Sequence, residues 1–122
     1  MTDKKEKKLS PLELARVAAG ALDDKKGADI KILKITDLTI LADYFVIATG
    51  ASTTQVRALA DAAEAKLIAA GAALGHREGF DGGGWLLLDF GTVIVHVFQP
   101  STREFYSLER LWADAEEMKI SD

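Results

Sequence analysis

Two histidines, a run of hydroxyls, a triple glycine and a few scattered aspartates are the residues here whose types could do chemistry. His76 and His96 fall in different segments and form no His-Glu-x-x-His or comparable ligand spacing, so no metal site is expected. Ser52, Thr53 and Thr54 suggest a nucleophile, but they stand where a helix must begin, and capping accounts for them. "TGAS" ahead of that helix presents backbone N–H groups that could bind phosphate. It lacks the Lys of a P-loop, however, and "GGG" at 82–84 precedes a strand rather than a helix. Asp37 and Asp43 flank a connection and read as turn residues; Asp89 has no second carboxylate two residues away with which to share a cation. No nucleophile, base and electrophile come together, so no cofactor is expected and the reading is a non-enzyme.

The totals narrow the classes further. A chain of 122 residues without a shift in composition is enough for one domain with its own core. There is no cysteine, which excludes disulfides, thiolate metal sites and a Cys nucleophile, and fits a reducing compartment. No apolar run approaches the ~20 residues of a membrane span. The start, MTDKKEKK, is basic with no apolar stretch behind it, so a secretory signal is not expected, and a bacterial cytoplasmic location is. The net charge is −4, and the dense basic run is Lys4, Lys5, Lys7 and Lys8. Residues 1–9 therefore read as a disordered basic tail, and nucleic acid is not the obvious direct partner.

The elements that must position these residues follow from periodicity. Ser10 caps a helix with Pro11 at its first position and Glu13 closing a capping box; Leu14, Val17, Ala18, Ala21 and Leu22 recur at helical spacing down to Gly27. "DIKILKI" alternates as a strand, "TDLTILA" connects, and "DYFVIATG" is apolar enough to lie centrally in a sheet. After Gly50, Ser52 and Gln55 form a second capping box, and Val56, Leu59, Ala60, Ala63 and Leu67 make one stripe that ends at Gly71. "GHREGF" adds a short edge strand, and residues 85–98 supply two more joined by a hairpin at "DFGT" carrying Gly91. "FYSLERLWADAEEM" reads as one closing helix, with residues 114–122 an acidic, frayed end. The expected class is α/β: a mixed sheet with helices packed mainly on one face.

The hairpin divides by face, because side chains alternate along a strand. If residue 88 pairs with 93, then Leu86, Leu88, Phe90, Val93, Val95 and Val97 share one wholly apolar side. The other side receives Trp85, Leu87, Asp89, Thr92, Ile94, His96 and Phe98, with Trp85 opposite His96 and Leu87 opposite Ile94. A mixed face holding Trp and Phe is either a docking surface or is sealed by the closing helix through Leu108, Leu111 and Trp112.

Three strings carry a resemblance beyond these patterns: "ADYFVIATGASTTQVRALAD" at 42–61, "EGFDGGGWLLLDFGTVIVHVF" at 78–98 and "REFYSLERLW" at 103–112. Together they resemble the ribosomal silencing factor family, also called Iojap-related, with the likeness running as a single domain over residues 10–113. Lys34 departs from it, standing where such proteins are expected to carry an acid. The resemblance implies a nucleotidyltransferase-like fold without the catalytic aspartates. It implies binding to the large ribosomal subunit through that subunit's protein fourteen, a block on joining with the small subunit, and repression of translation when nutrients are short. It also implies homodimers.

On this reading Trp85 and Phe98 are apolar anchors, Leu87 and Ile94 fill the space between them, and Asp89 and His96 meet a basic ribosomal protein. Tyr106, Glu109 and Arg110 are rim candidates, while Asp43 and Tyr44 are either contacts or fold-keepers. The competing readings are a nucleotide-handling enzyme on the same scaffold and a homodimer whose sheet face serves only itself.

Overall fold

The structure is a computed structural model that describes residues 8–121. Of the basic run, Lys4, Lys5 and Lys7 lie outside the described residues; Lys8 is exposed and in no regular element. Helix α1 (Pro11–Asp24) opens with the expected capping box: Ser10 Oγ accepts from the Glu13 N–H and the Glu13 carboxylate accepts from the Ser10 N–H. Strands β1 (Ala28–Lys34) and β2 (Tyr44–Thr49) follow. Helix α2 (Thr53–Ala69) comes next, then β3 (His76–Phe80), β4 (Trp85–Asp89) and β5 (Val93–Phe98). Two short helices, α3 (Pro100–Tyr106) and α4 (Leu108–Leu111), precede β6 (Glu116–Met118).

The six strands form one sheet in the order β3-β4-β5-β2-β1-β6. Only β2 and β5 pair in parallel, as a crossover through α2 requires; the other neighbours are antiparallel. The sheet is mixed, as expected. Its front carries the main core, where Ala15, Ala18, Ala19 and Leu22 of α1 and Val56, Leu59, Ala60, Ala63 and Leu67 of α2 pack on Val46, Leu88, Val93, Val95 and Val97. All five residues of the expected α2 stripe are buried. On α1 the buried line is centred on the alanines, with Leu14 and Val17 packed at its edge.

Three expectations need correcting. The hairpin is closed by Phe90 and Val93 around a two-residue turn, so Leu88 faces Val95 instead of residue 93. Trp85 then lies opposite Phe98 and Leu87 opposite His96. The shift is two residues, which preserves both faces. Second, the closing helix is broken at Ser107, whose left-handed φ of 50° ends α3 and restarts the chain as α4. Third, residues 114–122 include a strand: Glu116–Met118 pairs with Ile32–Lys34 at the sheet edge, where the frayed end was expected.

Candidate functional site

The back of the sheet is where the sequence places its mixed hairpin face. One hydrogen bond and several rings fix that face. Trp85 stacks on Phe98 with centroids 5.0 Å apart, and it touches Phe80 and Tyr106, each at 4.7 Å. Its indole Nε1–H donates to His96 Nδ1 at 3.2 Å, reaching diagonally across the strand pair. Because Nδ1 accepts, the neutral ring carries its proton on Nε2. That Nε2 is buried with no hydrogen-bond partner among the described residues. Phe45 meets the imidazole edge-on at 4.7 Å, and burial in these rings pushes the His96 pKa down to about 3.

Half of the back face is sealed. Leu108, Trp112 and Ala115, following α3, pack onto Leu33, Ile35, Phe45, Ile47, Ile94 and Phe98. The covering alternative thus holds over β1, β2 and β5, because the broken helix lies across them. Ile94, His96 and Phe98 are buried, the last at 1% exposure. The expectation that these three stand on an open surface is overturned; they form a second core beneath the strap.

Arg103 fastens the strap. It is buried, and Nη1 donates to Thr49 Oγ1 and to the Asp29 carbonyl, each at 2.8 Å. Nε and Nη2 donate to the two Glu109 carboxylate oxygens at 3.3 and 2.8 Å. Hydrogen bonding to Arg103 holds the Glu109 carboxyl below its usual range against the opposing effect of burial, and Lys31 Nζ adds an ion pair at 3.6 Å. Glu109, expected at a rim, is therefore engaged inside the molecule. Asp89 is likewise occupied, its Oδ1 accepting the Gly91 N–H at 2.8 Å in the hairpin turn. Tyr44 is buried in the front core, which makes it a fold-keeper, and Asp43 is tied through its backbone to Ile35 and Thr92.

What remains open is the β3–β4 half. Trp85 and Leu87 are half-buried there, and Tyr106 and Arg110 are exposed. Phe105, which the sequence reading passed over, is 79% exposed and meets Tyr106 edge-on at 5.0 Å. Phe80, Trp85, Tyr106 and Phe105 thus touch in series as an aromatic ridge. At one side the neighbouring Asp81 carboxylate raises the Tyr106 phenol's pKa, and Glu78 pairs with His76 at 2.8 Å. Pro100 at a helix start was the signal that could have placed Phe105 and Tyr106 on a separate short helix.

The hydroxyl cluster behaves as a cap. Ser52 Oγ accepts from the Gln55 N–H, and Gln55 Oε1 accepts from the Ala51 N–H, one residue earlier than a standard capping box. A cavity of about 330 Å³ lies between Thr53, Thr54, Arg57 and the glycines 82 and 83, and its polar side chains are exposed. Among the described residues no group of three His, Asp or Glu side chains is placed to hold a metal ion, and no helix is long and apolar enough to cross a membrane.

Comparison with known proteins adds a family to this geometry. A family model described as ribosomal silencing factor during starvation matches residues 8–122. The ribosomal silencing factor RsfS of Bacillus subtilis is 41% identical over 102 residues, covering 84% of this chain and 86% of that protein. A crystal structure from Chromobacterium violaceum superposes with a TM-score of 0.83 at 38% identity, covering 93% of this chain and 94% of the other. A Mus musculus protein named mitochondrial assembly of ribosomal large subunit protein 1 is 34% identical over 98 residues, 75% of this chain and 41% of that protein.

Proposed function

The chain belongs to the ribosomal silencing factor family, and on that premise we propose that it binds the large ribosomal subunit through that subunit's protein fourteen. Docked at the surface that meets the small subunit, it blocks joining sterically and represses translation under nutrient limitation. It needs no cofactor and performs no bond chemistry. The observation that carries this reading is the aromatic ridge of Phe80, Trp85, Tyr106 and Phe105 on the uncovered half of the sheet. Aromatic side chains that are rigid and part-exposed are the usual anchors of protein interfaces, and truncating a central one commonly weakens binding by about 2 kcal/mol or more. Leu87 extends the apolar patch, and Arg110 stands exposed at its strap side. The chain's net charge of −4 suits a basic partner and speeds encounter at low salt.

The roles of the hairpin residues divide accordingly. Trp85, Leu87, Phe105 and Tyr106 are proposed as direct contacts. Ile94 and Phe98 act from beneath by holding Trp85 and Leu87 up, and Asp89 keeps the turn that aligns them. Association with a second copy is part of the same proposal, and light scattering on the purified chain tests it. For the main reading the test is sedimentation with isolated large subunits, small subunits and joined ribosomes. Co-migration with large subunits alone supports it; co-migration with small subunits, or with none, removes it.

A further inference from the structure

We propose that His96 is a positioning residue for recognition, in which its Nδ1 sets how the half-buried Trp85 indole is presented to the partner. This rests on the reading of Trp85 as a contact and goes beyond it, because His96 itself touches no partner.

His96 does little for the core. It sits among Phe45, Trp85 and Phe98 rings. An apolar side chain of similar size would fill that space without desolvating two ring nitrogens. One of the two nitrogens finds no partner there. Buried polar groups are normally satisfied, and one that is half-satisfied weakens a core instead of strengthening it. Among the described residues, the one productive polar contact of the His96 ring is the bond from Trp85 Nε1.

That contact supplies what ring packing cannot. Phe98 stacks on the indole with the ring planes 28° apart, while Phe80 and Tyr106 meet it tilted by 40° and 48°. Ring contacts of these kinds accept centroid separations anywhere from about 4.5 to 7 Å, so they leave small rotations of the indole soft. A directional bond to a fixed acceptor removes that freedom and leaves one edge of the indole inward and the opposite edge outward. Preorganising a contact residue in this way lowers the ordering penalty of binding. The acceptor is itself fixed, because His96 is buried in β5 with its ring held by Phe45.

The test uses the full chain labelled with ¹⁵N-tryptophan, which gives indole signals from Trp85 and Trp112 that Trp85→Phe assigns. His96→Leu removes the acceptor at similar volume, and His96→Asn restores an oxygen near the place of Nδ1. In wild type the Trp85 indole proton resonates downfield and exchanges slowly with solvent. His96→Leu moves it upfield and speeds exchange at least about tenfold, His96→Asn brings it back toward wild type, and Trp112 does not move. Binding to isolated large subunits weakens about three- to tenfold in His96→Leu and recovers in His96→Asn, while the unfolding midpoint at pH 7 stays within about 3 °C of wild type.

An unchanged Trp85 signal in His96→Leu overturns the positioning role. So does failure of that variant to fold, which would make His96 a stability residue. A displaced signal with wild-type binding overturns the link to recognition. If wild type itself does not bind large subunits, the reading of the site falls with the recognition half of this proposal, while the indole signal still decides the bond.

Discussion

Arg103 grips Glu109 across the break at Ser107, with Nε on one carboxylate oxygen at 3.3 Å and Nη2 on the other at 2.8 Å. The pair turns two helical fragments, α3 and α4, into one rigid strap. Through Thr49 and the Asp29 carbonyl the same guanidinium ties that strap to the ends of β1 and β2. The strap in turn decides which half of the back face stays open.

Removing this clamp lowers stability. Arg103→Ala leaves Glu109 and two further acceptors without their donor, and about 2–4 kcal/mol is expected from urea unfolding. Glu109→Gln keeps the shape and loses less, about 1 kcal/mol. The Glu109 carboxyl is held low first by its bond from Arg103, so this contribution is complete above its unfolded pKa near 4.5 and fades as pH falls through the folded value. Wild-type stability in Arg103→Ala, or a pair contribution that grows in acid, contradicts this account of the strap.

A second acid effect has a separate window. His96 is neutral when folded, with a pKa near 3 against 6.5 for the free side chain, so unfolding takes up a proton anywhere between those values. Stability therefore falls as pH drops below about 6.5, at up to about 1.4 kcal/mol per pH unit, until near pH 3. Unfolding midpoints measured in urea from pH 7 to pH 5 isolate this slope from that of Glu109, which begins lower. His96→Leu abolishes it in that range; persistence of the slope in that variant assigns it elsewhere.

The start of α2 is predicted to matter for folding alone. Ser52→Ala loses the bond to the Gln55 N–H and costs about 1 kcal/mol of stability. Gly50→Ala places a methyl 3.0 Å from the Val56 backbone N and 3.1 Å from a Leu59 methyl, and overpacking of this kind costs about 1–3 kcal/mol. Ser52→Ala leaves co-sedimentation with large subunits intact. Equilibrium dialysis with labelled ATP, GTP and CTP shows no micromolar binding, and Ser52-dependent binding of any of them revives the nucleotide reading.

Residues differ in how far sequence carries them. The α2 stripe from Val56 to Leu67 was legible because one period and one buried face describe it completely. The faces of the hairpin were legible for the same reason, whereas its register depended on a turn length that "DFGT" does not specify. His96 was misplaced because alternation reports which side a residue points to, and not whether a later segment covers that side. The strand at Glu116–Met118 has no strand propensity to read, and pairing with β1 alone makes it one. Arg103 gave no sign of being buried, since its partners lie at Asp29 and Thr49, far away in the chain.

The uncovered aromatic ridge is the proposed docking surface, and Phe105 is the residue that reports on it most cleanly. At 79% exposure it contributes little to the core, so Phe105→Ala changes stability by no more than about 0.5 kcal/mol. Sedimentation of wild type and Phe105→Ala with isolated large subunits, at one salt concentration, is the direct measurement. Binding by wild type and a loss of about tenfold or more in the folded variant is the predicted result; equal binding by the two contradicts it.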